Sequence, residues 1–408
     1  MRLDDGLGHL TYSTLVHPAD TWADLDDSLR RHLPAVHAKV DPTRPMGVSI
    51  RLAAATASTL TDDPVALGAL SDFFADQELY VYTANAFPYG PFKGQSVMEQ
   101  VYEPDWTTDE RVDYTNSVAD IMAKLAPTDV TPSIQTAPLA YRPNVVDSAY
   151  VERFTHNVLR VIAHMVGIER RTGQRVKLAI EPEPHCFLDS TRETVDYFQS
   201  HLYGSDAIRT LASLGDLPLS EAAGALRRHL GVVFDICHQS VAFEDIPDSL
   251  AMLSDNGIPV FKLQEAAALW VEDVDRDSVE ALRSFTDTIY LSQTTERRDD
   301  GVTRYLHLAD AIAAWEADPN GHREWRTHFH VPVFLDDLGP FRTTRFAVEE
   351  ALAAHRAEPI SDHLEIETYT WDVLPEHLKT GDIVEYVSRE LEWVRGHLVG
   401  GNRQEARP

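Results

Sequence analysis

Short apolar runs recur along the chain, separated by longer stretches in which apolar residues return every three or four positions. The runs fall at residues 10–16, 46–52, 79–84, 176–181, 231–237, 259–264, 328–334 and 363–369. They are rich in Val, Ile, Phe, Tyr and Leu and short enough to be strands. The helical period occupies residues 21–36, 109–125, 149–171, 221–229, 278–288 and 344–355. Strand alternating with helix predicts a parallel sheet with crossover helices, and eight such strands predict a (β/α)8 TIM barrel. A doubly wound open sheet is the alternative, but no glycine-rich dinucleotide fingerprint follows an early strand. The spacing predicts long insertions after the third and sixth strands, at about 85–175 and 265–327. The first opens on a turn-rich aromatic segment, 83–92, and the second contains an extended-looking stretch, 288–294. Both follow strand C-termini, the face where barrel active sites are built, so they are expected to close over the mouth. The plainer alternative is contact between copies in a homo-oligomer. One domain is expected over residues 1–400, with a frayed tail at 401–408.

Composition narrows the partners. The 408 residues carry 36 Lys and Arg against 65 Asp and Glu, a formal charge of −29. That excess repels phosphate backbones and anionic membranes, and no cluster of basic residues offsets it, so nucleic-acid binding is not expected. Two cysteines, Cys186 and Cys237, lie in apolar segments, and a chain of this size does not need the one disulfide they could form. No signal-like N-terminus or membrane-length apolar run is present, and a cytoplasmic protein without membrane insertion is expected.

Residues two apart share a face of a strand. Taking the bulkier apolar face to meet the helices, the opposite faces carry Lys177, Ala179 and Glu181; Val233 and Asp235; Lys262 and Gln264; His328 and His330; Glu365 and Glu367. Glu181, Asp235, Gln264, His330 and Glu367 would therefore converge at the mouth. Unneutralised carboxylates repel one another there and lose solvation, and a single divalent ion, Mn2+, Mg2+ or Zn2+, removes both difficulties. Lower down, Lys262 is expected to pair with Glu365, which leaves it also a candidate substrate contact. His238 follows Asp235 by three residues and is a candidate for substrate orientation, metal binding or proton transfer. In Glu181-Pro182-Glu183-Pro184-His185 two prolines stiffen the loop that presents Glu183 and His185, a candidate catalytic group and substrate contact. Phe87, Tyr89 and Trp106, with Phe92 and Tyr102, form an aromatic set that suits an apolar ligand surface.

These residues carry a resemblance. The segments TANAFPYGPFKG (83–94), VYEPDW (101–106), SIQTAPLAY (133–141), IEPEPH (180–185), VFDICHQ (233–239), HFHVPVF (328–334) and EIETYTWDVLP (365–375) resemble the xylose isomerase-like TIM barrel superfamily. More narrowly, they resemble its EboE-type metabolite traffic proteins. The resemblance implies one metal held by Glu181, Asp235, Gln264 and Glu367, with His330 a rival for the third place. It also implies that Glu181 and Glu367 exchange protons with the two faces of a substrate while His238 holds a substrate oxygen. Glu183 and His330 are further candidates for proton transfer. The expected activity is a metal-dependent isomerisation or epimerisation of a small sugar, sugar phosphate or cyclitol-type carbonyl compound through an enediolate. The alternatives are a non-catalytic metabolite carrier on the same barrel and a metal-dependent phosphoester hydrolase of the endonuclease IV type.

Overall fold

Eight strands run parallel around a common axis in the computed structural model, which describes residues 1–399 apart from 95, 287–288, 376–377 and 380. The tail expected to fray lies outside the described residues. The first seven barrel strands are β1 (His9–Tyr12), β2 (Met46–Arg51), β3 (Leu79–Asn85), β4 (Ser133–Thr136), β5 (Lys177–Ile180), β6 (Leu230–Asp235) and β7 (Val260–Glu265). Five further strands make a separate antiparallel sheet: β8 (Ala267–Val271), β9 (Thr294–Arg298), β10 (Gly301–Tyr305), β11 (Glu324–Val331) and β12 (Arg342–Thr343). The chain then returns to the barrel as β13 (His363–Ile366), which pairs with both β7 and β1. A parallel bridge between Ser13 and Ser49 joins β1 to β2 and brings the two ends of the sheet together. The doubly wound alternative is thereby excluded.

Helices cover the barrel where the period predicted them, as at Asp109–Leu125, and Ser148–Thr172 runs one residue further at each end than expected. The latter starts where the Asp147 side chain accepts from the Tyr150 N–H, and it stops at Gly173 with φ 78°. Residues 276–282 form a shorter helix than the periodicity suggested, followed by a single turn at 283–285.

Two strand expectations are corrected. The sequence reading missed β4, because Ser133-Ile134-Gln135-Thr136 has one apolar residue and turns polar side chains inward. The barrel strand at Val260–Glu265 is therefore the seventh. Residues 328–334 are not a barrel strand: 328–331 end β11, which pairs with β8 and β9 in the second sheet. All eight residues of β11 are buried, so it lacks the solvent-facing side that would have set it apart from a barrel strand. The excursion after the sixth predicted strand consequently continues to residue 362.

Inside the barrel the layers are polar. Register places Asp235 beside Gln264 and Gln264 beside Glu365, while Asn85 lies beside Gln135. One layer is held by Lys262, whose ammonium donates to Gln135 Oε1 at 2.7 Å and Glu365 Oε2 at 3.0 Å. Elsewhere in the interior the Tyr82 ring crosses so close to β2 that a Cβ on Gly47 would lie 2.5 Å from it, so only glycine fits.

Candidate functional site

Three carboxylates from three strand ends share one arrangement. Glu181 follows β5, Asp235 ends β6 and Glu367 follows β13; each is almost wholly buried. Each uses one oxygen to accept from a neutral donor. Glu181 Oε2 takes the Gln135 amide at 2.6 Å, Glu367 Oε1 takes Asn85 at 3.0 Å and Ser13 at 3.4 Å, and Asp235 Oδ1 takes the N–H groups of Cys237 and His238. The other oxygen of each turns to a common point occupied by the Gln264 amide nitrogen, 3.3 Å from Glu181, 2.8 Å from Asp235 and 2.6 Å from Glu367. An NH2 group has two hydrogens and cannot serve three acceptors, while Gln264 Oε1 is buried and accepts nothing. Turning that amide over and placing a cation among the four oxygens gives Gln264 Oε1 a partner and removes the repulsion among the carboxylates. The residues thus fit a divalent ion.

Electrostatics point the same way. Burial first, then the charges of Glu367 and Asp235, pushes Glu181 well above the ordinary carboxylate range. Burial, then Glu365 and Asp235, does the same to Glu367. Without a cation these groups favour the protonated form.

Beside this centre lie three imidazoles. His238 Nδ1 and His330 Nδ1 face the backbone carbonyls of Pro182 and Glu367, at 2.9 and 2.5 Å, and so must donate. His328 Nδ1 faces Gln293 Oε1 at 2.8 Å, an orientation fixed because the Gln293 amide nitrogen donates to Glu183. As neutral imidazoles, all three rings present Nε2 as a lone pair. His328 Nε2 and His330 Nε2 are 3.1 Å apart, a repulsive contact that a shared proton or cation relieves. Burial lowers the pKa of both, His330 to about 4. Ligand atoms of Asp235, His238 and His330 lie within 4.8 Å of one another, as do those of Glu183, His238 and His328. Asp235 belongs to this group and to the carboxylate centre. Glu183 also receives the Tyr102 hydroxyl at 2.8 Å, and burial raises its pKa.

Above these groups opens a cavity. Its polar lining includes Asn85, Gln135, Glu181, Glu183, His238 and Glu367, and its apolar walls come from both insertions, through Phe87 and Phe92 and through Tyr290 and Leu291. The expectation that the two segments meet over the mouth matches this placement. Two buried arginines fasten the first segment: Arg51 donates to the carbonyls of Pro88 and Gly90, and Arg111 to those of Ala86, Phe87 and Pro104.

Four expected substrate contacts do not line this cavity. Trp106 is fully buried in the main core, because its segment folds beneath the helix layer. Tyr89 packs edge-on against Tyr114, with ring centroids 5.1 Å apart. His185 reaches the Tyr305 carbonyl at 3.1 Å on another side of its loop. Lys262 is committed to Glu365 and Gln135. His330 arrives from β11 of the second sheet, not from the barrel, and packs against Tyr369. Cys186 and Cys237 are both free thiols. The sequence reading assigned no site role to Ser13, Asn85, Gln135 or Gln293; only the inward register of Asn85 and Gln135 could have signalled them.

No family model matches the chain, and no curated protein does. Solved structures do. A xylose isomerase-like TIM barrel protein from Mycobacterium smegmatis in complex with magnesium is 10% identical, with 96% of each chain covered and a TM-score of 0.47. The IolI protein with a bound zinc atom is 12% identical, covering 96% of this chain and 98% of its own, at a TM-score of 0.46. An L-ribulose 3-epimerase is 11% identical, covering 97% and 99%, at 0.45. The chain is similar to xylose isomerase-like TIM barrel proteins. At such identities the likeness concerns the fold, and what those proteins bind or convert is said of them alone. Among the described residues no helix is long and apolar enough to cross a membrane.

Proposed function

We propose that the chain is a metal-dependent isomerase or epimerase of a small polyhydroxylated carbonyl compound. The observation that carries this reading is the set of three carboxylate oxygens turned to one point, with the orphaned Gln264 oxygen beside them. Glu181, Asp235, Gln264 and Glu367 would hold one Mn2+, Mg2+ or Zn2+. The ion, when bound, supplies positive charge to a carbonyl and its neighbouring hydroxyl, which acidifies the C–H between them.

The chain's own groups do the rest. Glu181 and Glu367 flank the Gln264 amide and would exchange protons with the two faces of the substrate. One removes the α-proton, and the other returns a proton to the same carbon in epimerisation or to the former carbonyl carbon in isomerisation, where the hydroxyl proton passes to the other oxygen. His238 Nε2, its tautomer fixed by Pro182, accepts from a substrate hydroxyl. Glu183, held by Tyr102 and Gln293 and raised in pKa by burial, is suited to proton donation at the edge of the site. The apolar walls keep water from the reacting carbon. The narrower EboE-type likeness of the sequence motifs is the basis for assigning the reaction to a metabolite biosynthesis pathway. Incubation of metal-loaded protein with ketoses and cyclitol ketones in D2O should give exchange at one carbon, read by NMR. Metal-loaded protein that binds such compounds without exchange at any carbon would make the chain a carrier.

Metal binding should release protons. Glu181 and Glu367 have raised pKa values in the metal-free protein, so their differential effect on stability is lost as pH rises through those values and the carboxylates ionise together. Metal affinity should therefore climb with pH. Calorimetry in buffers of different ionisation enthalpy checks this, and binding without proton release would contradict the assignment.

A second reading, metal-assisted phosphoester hydrolysis, is favoured by one observation: Asp235 is shared between the carboxylate centre and the imidazole group, as in a site for two close ions. Metal content decides. One ion per chain supports the isomerase, and two support the hydrolase.

A further inference from the structure

We infer that the substrate is uncharged and carries an apolar branch, so that this site takes a polar α-hydroxycarbonyl head on its floor and a hydrocarbon or aryl group between its walls. The inference rests on the isomerase reading for its head group and on the cavity for its branch.

The first observation is the absence of positive charge. No lysine or arginine among the described residues lines the cavity, whereas Glu181, Glu183 and Glu367 do, and Asp235 adjoins them. One divalent ion would leave four carboxyl groups facing two positive charges. The arginines that fasten the first insertion, Arg51 and Arg111, are committed to backbone carbonyls of Ala86, Phe87, Pro88, Gly90 and Pro104. Lys93 directs its ammonium to the Tyr369 carbonyl and Asp372. The helix that starts at the floor, Ile236–Val241, has its first N–H groups taken by Asp235. A phosphate or carboxylate on the substrate would therefore lose solvation without gaining a partner.

The second observation is what replaces charge. Phe92, Tyr290 and Tyr369 pack against one another with ring centroids 4.9 to 5.4 Å apart. Together with Leu15 they form an apolar cluster separate from the main core. A second small cluster on the cavity wall contains Phe87 and Leu291 and is likewise separate from that core. These rings thus contribute to the cavity without being needed to pack the barrel.

Three achiral probes share the head and differ in the branch: dihydroxyacetone, dihydroxyacetone phosphate and 2-hydroxyacetophenone. Titration of the metal-loaded protein should show 2-hydroxyacetophenone binding at least tenfold more tightly than dihydroxyacetone, and the phosphate no more tightly. Phe92→Ala with Tyr290→Ala should shrink the ratio of the 2-hydroxyacetophenone affinity to the dihydroxyacetone affinity to about twofold. Tighter binding of the phosphate, no gain from the phenyl group, or no binding by any probe would overturn the inference. Exchange in D2O is scored separately. A phenyl ketone bound tenfold more tightly but never exchanged would remove the isomerase and keep the inference, whereas exchange confined to phosphate esters would do the reverse.

Discussion

Replacing Glu367 by glutamine should leave the barrel folded and the metal bound, while exchange of a substrate α-hydrogen with solvent falls by roughly 10²–10⁴-fold, the usual contribution of a proton-transfer group. The hydrogen bonds explain why the fold tolerates the change. Glutamine Oε1 can still accept from Asn85 and Ser13, as the carboxylate does. Its new NH2 group would face the Gln264 nitrogen, a donor–donor contact that the metal-free protein relieves by turning Gln264 over at the cost of its bonds to Asp235 and Glu181. The substitution also resembles the protonated acid that burial already favours at this position. Metal-free Glu367→Gln protein should therefore match the wild type in thermal midpoint at low pH. It should exceed the wild type as pH rises, since ionisation at position 367 no longer adds a third buried carboxylate charge beside Glu181 and Asp235. NMR exchange, metal analysis and thermal melts at several pH values test the three parts. Full exchange activity in this variant would remove Glu367 from the chemistry and shift the assignment to Glu183 or Glu181.

The sequence made the acidic members of this centre visible and left its supports hidden, for a physical reason. Glu181, Asp235, Gln264 and Glu367 stand at strand C-termini on the face opposite a run of bulky apolar residues, and a period of two suffices to place them together. The groups that hold them have no such mark. Asn85, Gln135 and Ser13 are neutral donors of a kind common on any surface, and their role depends on which carboxylate oxygen they reach. Gln293 and His328 come from the second insertion, and the approach of Gln293 to Glu183 is a tertiary contact across 110 residues of chain. The same limit explains the strand errors. Ser133–Thr136 has a polar inner face and Ile134 as its one apolar residue, whereas β11 is buried on both sides. Aromatic residues misled in the opposite direction: Trp106 and Tyr89 share the composition of a ligand wall, yet the fold turns them into core packing, and Phe92 and Tyr290 take the wall instead.

Lys262→Met should be the most destabilising single change in the barrel interior, costing about 3–5 kcal/mol, because it strips the partner from a buried carboxylate. Lys262 and Glu365 are both wholly buried, and the second Glu365 oxygen already lacks a hydrogen bond. A methionine of similar length fills the volume, so the loss reports charge and not a cavity. The change should also reach the metal centre. An ammonium group only donates, and by binding Gln135 Oε1 it commits the Gln135 nitrogen to Glu181. Without Lys262 that amide is free to rotate, and Glu181 loses the group that fixes its second oxygen. Metal affinity should drop about 10- to 100-fold, as expected when an outer partner of a ligand is removed. Adding Glu365→Met should restore most of the stability, since an apolar pair can replace a buried ion pair at little cost. It should not restore metal affinity, because the Gln135 amide remains unfixed. Chemical denaturation of metal-free protein and metal titration of the single and double variants separate the two effects. If the double variant regains both, the Lys262–Gln135–Glu181 relay has no role in holding the metal.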